Sequence, residues 1–317
     1  MLCIFSSRIG VGDKFCPFDF SEHKIKIANI ILMVILILCS ERSKGQNLYP
    51  TPIRGIKIHS IKSAFNHKTY QLCVSLPKNY SEQDTLHYPV LYVLDGKFSF
   101  NGMGSIRDVL DLGKEIKDII IVSIEDSCTT DADWLASRNN DFTPSSMPQV
   151  DTLTSKIMKI AEGKLKSGGA ELFLYTLQND MIPFIEKHYK TTNDRGLSGH
   201  SLGGLFAGYC LLKKPDLFKR YGINSPSFWW NNSEMVRIEN DYASHHSELT
   251  AKVFFSVGGS EDANMLASFN AFTNAVKSHN YQGLSMIVKI FEGETHLSVV
   301  PAGGSRTLKV LYGANVK

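Results

Sequence analysis

Gly199-His200-Ser201-Leu202-Gly203, followed directly by Gly204, is the stretch on which the reading of this chain turns. The pattern Gly-x-Ser-x-Gly suits a serine carried on a sharp turn between a strand and a helix. Such a turn lifts the hydroxyl clear of the backbone, and the flanking glycines lack the Cβ atoms that would collide in so tight a bend. Downstream, Leu202, Leu205, Phe206, Tyr209 and Leu212 recur at helical spacing, with small Ala207, Gly208 and Cys210 between them. A buried helix therefore starts just after the serine. Lys213 and Lys214 suit its C-terminus, and Pro215 stops it. Upstream, Arg195-Gly196-Leu197-Ser198 is a poor apolar strand, so a glycine-rich helix start with a capping serine stands as the alternative.

The composition is that of a globular chain: 317 residues, 43% hydrophobic, formal charge +3. Residues 1–45 hold six Lys/Arg and four Asp/Glu, which leaves 28 basic against 27 acidic residues, a net +1, for the remainder. That balance points to neither nucleic acid nor an acidic surface as partner. Lys24 and Lys26 precede an apolar run from Ile30 to Leu38, too short to span a bilayer, and Ser43-Lys44-Gly45 places small residues where a signal peptidase reads. The expectation is a secretory signal within residues 1–45, cleaved before Gln46, no membrane span after its removal, and a secreted or periplasmic domain of residues 46–317. An uncleaved anchor is the alternative. Cys73, Cys128 and Cys210 would survive cleavage, an odd and scattered set with no disulfide framework and no metal pair.

Along the chain, Ile53–Ile61 and Thr69–Leu76 alternate as two early strands. Pro89–Leu94 and Ile119–Ile124 run apolar without alternation, as strands buried on both faces do. Between them, Gly104–Lys117 has helical spacing, so the order is strand, helix, strand, the mark of a parallel α/β layer. Residues 125–150 are polar and read as a long irregular loop. Asp151–Ala161 and Glu171–Tyr189 are helical, Val253–Val257 is a strand ended by Gly258-Gly259, Asn264–Ser278 a helix, and Met286–Phe291 the last clear strand. No repeat or linker divides residues 46–317.

A serine hydroxyl needs a base to take its proton, and the base needs a carboxylate to orient it. On α/β-hydrolase folds these parts follow in the order Ser, acid, His, each on a turn after a strand. His296 comes directly after the strand Met286–Phe291, in Glu292-Gly293-Glu294-Thr295-His296. Between it and Ser201, Gly258-Gly259-Ser260-Glu261-Asp262 follows a buried strand and presents two carboxylates. Glu261 or Asp262 is then the acid, with Glu261 preferred. Two N–H groups are also required for an oxyanion: that of Leu202, and one from the turn Asp95-Gly96-Lys97, assigned to Gly96. His200 is read as the variable residue of the pentapeptide. The chain has neither His-Glu-x-x-His nor Gly-x-Gly-x-x-Gly, so neither metal nor organic cofactor is expected.

These stretches resemble the serine esterase family of α/β-hydrolases that includes siderophore (enterochelin-type) esterases, feruloyl esterases and S-formylglutathione hydrolase. The resemblance rests on Tyr88–Gly96 (YPVLYVLDG), Arg138–Pro144 (RNNDFTP), Gly168–Tyr189, Gly199–Gly204 (GHSLGG), Ser225–Asn231 (SPSFWWN) and Glu292–His296 (EGETH). It implies a single domain with a mostly parallel central sheet flanked by helices, acting on a small-molecule ester through an acyl-enzyme. It is closest to the siderophore-esterase-like branch, whose Gly-x-x-Glu matches Gly258 to Glu261, and by analogy makes Arg138 and Trp229 pocket candidates. Their alternatives are an ion pair with Asp141 and a packed aromatic. Two other functions stay open at this stage, an acyltransferase on the same fold and a non-catalytic binding module.

Overall fold

The computed structural model of the protein describes residues 56–314 apart from Asp84 and Thr129. The expected leader and its cleavage point lie outside the described residues. Eight strands form one sheet: β1 (Ile56–Lys62), β2 (Thr69–Ser75), β3 (Tyr88–Val93), β4 (Ile120–Asp126), β5 (Thr191–His200), β6 (Arg220–Asn224), β7 (Glu248–Gly258) and β8 (Gln282–Phe291). Their spatial order is β1-β2-β4-β3-β5-β6-β7-β8. β2 pairs antiparallel with both β1 and β4, and every other pairing is parallel.

The unbroken apolar runs of β3 and β4 are explained by two covered faces. Val90, Tyr92, Val122 and Ile124 point into the larger core, while Leu91, Val93, Ile119 and Ile121 point into a second one on the other side. α1 (Gly96–Leu112) and α9 (Val299–Tyr312) cover the second, smaller core, which they close with Met103, Leu110, Leu308, Leu311 and Tyr312. The larger core is built with α6 (Leu202–Lys213), α7 (Trp230–His245) and α8 (Ala263–Ser278). Among the described residues no helix is long and apolar enough to cross a membrane.

Four expectations need correction. The helix after β3 runs from Gly96 to Leu112, so it starts eight residues earlier than its apolar spacing suggests. The segment 125–150 is not an irregular loop, since it holds α2 (Asp131–Asp141) and the start of α3 (Pro148–Ile157). α2 is polar because it faces side-chain partners instead of an apolar core: Asn139 bonds Asp151, and Asp141 takes Lys68 and Tyr70. The helix expected at Glu171–Tyr189 is α4 (Ala170–Thr176) and α5 (Ile182–His188), joined by a π turn at Leu177–Met181. β5 is a full central strand despite its weak apolar character. Its ladder to β3 and β6, not side-chain hydrophobicity, defines it.

Candidate active site

Ser201 sits between β5 and α6 with φ 59 and ψ −120, a conformation that residues other than glycine avoid. Such strain costs about 1–3 kcal/mol and persists only where neighbours over-determine it. They do so here. The Ser201 N–H donates to the Asn224 carbonyl at 3.1 Å, and the Ser201 carbonyl accepts from Leu205 at 2.9 Å and Ser227 at 3.0 Å. Gly199 makes the bend sterically feasible, because a Cβ there would lie 2.2 Å from the carbonyl oxygen of Gly203. The Ser201 hydroxyl is 3.4 Å from that of Ser227.

His296 follows β8 on a turn that Gly293 opens with φ 78. Its Nδ1 donates to Glu261 Oε2 at 2.7 Å, since a carboxylate can only accept. The other carboxylate oxygen, Oε1, accepts from the Ser225 hydroxyl at 2.5 Å and the Gly258 N–H at 2.8 Å. Burial opposes ionisation of Glu261, but the bonds from His296, Ser225 and Gly258 outweigh it and hold the carboxyl below its ordinary value. Asp262, one residue on, points elsewhere: its Oδ1 accepts from Met265 N–H at 3.0 Å and caps α8. The structure thus brings Glu261, and not Asp262, to the imidazole. Asp262 is a helix cap.

Ser201 and His296 open onto one cleft of about 420 Å³, whose other walls are Ser227, Trp229, Asp262, Asn264 and Met265. Trp229 is half-buried there, so the segment around the paired tryptophans does reach the cleft. His200, passed over in the sequence, lies behind it. Its ring centroid is 4.6 Å from that of His296, and both of its nitrogens are buried without a hydrogen-bond partner. Burial, with His296 alongside, pushes its pKa down to about 4. No local pattern marks this residue, because only the elbow geometry turns it toward His296. Ser225 and Ser227, which follow β6, carry no local pattern either; the order of the strands brings them to Glu261 and Ser201.

Leu202 opens α6 and Gly96 opens α1. The N-cap residues Ser201 and Asp95 both have positive φ, and neither side chain caps its helix. The two helix starts adjoin: a Cβ on Gly203 would lie 3.1 Å from Asp95 Oδ2. Arg138 is not among the residues walling the cleft. Its Nε and Nη2 donate to Asp95 Oδ1 and Oδ2 at 2.8 and 2.9 Å, so its ion pair is with Asp95 and not with Asp141, which Lys68 takes at 2.7 Å. Among the described residues no group of three His, Cys, Asp or Glu is placed to hold a metal ion.

The family model described as "Putative esterase" matches residues 63–297. Ferri-bacillibactin esterase BesA of Bacillus subtilis is 28% identical over 279 residues, covering 85% of this chain and 94% of that protein. The siderophore triacetylfusarinine C esterase of Aspergillus fumigatus is 27% identical over 173 residues, 46% of this chain and 59% of that one. The crystal structure of the BES protein from Bacillus cereus superposes with a TM-score of 0.69 at 28% identity, over 82% of this chain and 95% of that chain. The match to the family model takes in β2 through His296, the residues walling the cleft included, and the chain belongs to this esterase family of α/β-hydrolase fold.

Proposed function

We propose that this esterase is a serine hydrolase in which Ser201, His296 and Glu261 act together on carboxylic esters. The observation that carries the reading is the pairing of Glu261 with His296 Nδ1 behind a cleft that Ser201 also lines. With Nδ1 engaged, Nε2 is the free basic nitrogen. Ser201 Oγ attacks the ester carbonyl and passes its proton to Nε2. The oxyanion that forms is received by the N–H groups of Leu202 and Gly96, at two helix starts whose dipoles favour negative charge. The protonated imidazole then gives its proton to the departing alcohol, leaving an acyl-serine. Water attacks that acyl group, loses a proton to Nε2, and frees the acid and Ser201.

The substrate class that the relatives support is a siderophore ester or a related small ester, since BesA and the Aspergillus fumigatus protein are both named as siderophore esterases. Action outside the cytoplasm follows if the basic-apolar leader of residues 24–38 is cleaved. An acyltransferase would replace water by a second alcohol in deacylation, and added acceptor alcohols would then raise turnover with transfer products. Labelling with a fluorophosphonate probe tests the mechanism. Modification confined to Ser201 and lost in Ser201→Ala is expected, with kcat down by about 10⁴-fold or more. Full esterase activity in Ser201→Ala would refute it and would require another nucleophile.

A further inference from the structure

Aspartate is among the best N-cap residues, because its carboxylate normally accepts the free N–H groups of the first helical turn from an extended backbone. Asp95 occupies that position on α1 and does not do this. Its backbone is left-handed, at φ 56 and ψ 49, and its side chain makes no cap. Both carboxylate oxygens go instead to Arg138, in a bidentate pair whose side chains are only 12 and 13% exposed. Arg138 is held in turn by aromatic rings: its guanidinium lies 5.0 Å from the Trp134 ring centroid and 5.7 Å from that of Phe142. The turn is fixed from its other sides as well. The Leu94 N–H donates to the Ser198 carbonyl on the elbow strand at 2.9 Å, and a Cβ on Gly96 would lie 2.2 Å from the Ser123 hydroxyl.

We propose that Arg138 is a positioning residue: by holding and neutralising the Asp95 carboxylate it keeps the Gly96 N–H at the start of α1 uncapped and fixed beside the nucleophile's helix, ready for the oxyanion. The proposal rests on the serine-hydrolase reading above. Without Arg138, the Asp95 carboxylate is left as an unpaired negative charge at the start of α1, next to the Gly96 N–H. That charge lies beside the place where a negative charge must form. Arg138 does this without touching substrate, which separates it from a pocket residue.

The test compares Arg138→Gln, Arg138→Lys, Asp95→Asn and the double variant Arg138→Gln/Asp95→Asn on a p-nitrophenyl ester. Alongside, each is titrated with a trifluoromethyl ketone carrying the same acyl group, whose hemiketal oxyanion needs the same donors. Arg138→Gln should lower kcat by about 30- to 100-fold with KM within threefold, and raise the Ki of the ketone by a similar factor. Arg138→Lys, which keeps the charge and loses the fork, should fall between. The double variant should be no worse than Arg138→Gln alone, because an amide at residue 95 carries no charge to oppose the oxyanion. A KM raised tenfold with kcat kept would make Arg138 a substrate contact and overturn the proposal, as would unchanged kcat and Ki in all variants. If Arg138→Gln does not fold, the ratio of kcat loss to KM change in Arg138→Lys and Asp95→Asn decides by the same criterion. Failure of the underlying mechanism is separable: it would appear as absent fluorophosphonate labelling of Ser201 in the unsubstituted protein.

Discussion

Oε2 of Glu261 accepts the Nδ1 proton of His296 at 2.7 Å, while Oε1 of the same carboxylate is held by Ser225 and Gly258. The carboxylate is thereby fixed at both oxygens, and with it the tautomer and tilt of the imidazole. A glutamate that reaches back from the turn after β7 meets a histidine on the turn after β8, the parallel neighbour of that strand.

Glu261→Gln should therefore lower kcat by up to about 10⁴-fold, the loss expected when the partner that fixes the tautomer and stabilises the cation is removed. Asp262→Asn should lower it by less than about threefold, because asparagine caps a helix nearly as well as aspartate. Measuring the two variants side by side on one ester assigns the acid. A large loss confined to Asp262→Asn would reverse the assignment.

Acid should destabilise the protein partly through His200. Its folded-state pKa of about 4 lies below the ordinary 6.5, so between these values the unfolded chain binds the proton and the folded one does not. Stability then rises with pH across that window, and is lost as pH falls from 6.5 toward 4, by about 2–3 kcal/mol at pH 4.5. Denaturant unfolding at pH 4.5 and 7 checks this. The stability difference between the two pH values should shrink by about that amount in His200→Gln. An equal difference in both proteins would mean that His200 is protonated, or solvated, in the fold.

The cleft walls carry one carboxylate, Asp262, and no Lys or Arg. Uncharged esters should accordingly be cleaved faster than esters bearing a carboxylate near the acyl group, with kcat/KM differing by about fivefold for a repulsion of order 1 kcal/mol. Asp262→Asn should narrow that ratio, and high salt should narrow it in the unsubstituted protein. A preference for the anionic ester would place a cation at the cleft from outside these walls.

N-terminal sequencing of the protein from its native host should find a mature chain that begins near Gln46, recovered outside the cytoplasm. Recovery from the cytosol with Lys24 to Leu38 retained would refute the signal reading.

What could be read in advance was what depends on short-range pattern. Pro89–Leu94 and Ile119–Ile124 announced strands because both of their faces are buried; the turn at Glu261 was legible because it follows the buried end of β7, and that at His296 because it follows β8, whose run Met286–Phe291 is apolar although it forms the exposed edge of the sheet. β5 was nearly illegible, since a central strand bounded by large neighbours is built here from Gly196, Ser198 and Gly199. α2 was lost because its inward side is polar and satisfied by Lys68, Tyr70 and Asp151 from distant parts of the chain. Arg138 shows the same limit in the site: the charge was visible, but its choice of Asp95 over Asp141 is set by how α2 lies on the end of β3.

β3 and β5 are adjacent parallel strands, and each runs directly into a helix at the same end of the sheet. The donors proposed for the oxyanion are thus main-chain atoms that come with the topology, whatever side chains surround them. Mutational drift in Trp229, Asn264 or Met265 can remould the room available to an alcohol while that electrostatic seat is inherited intact. Diversification of substrate among proteins of this architecture is in this sense inexpensive: selection has a wall of side chains to vary and a backbone anchor it need not rediscover.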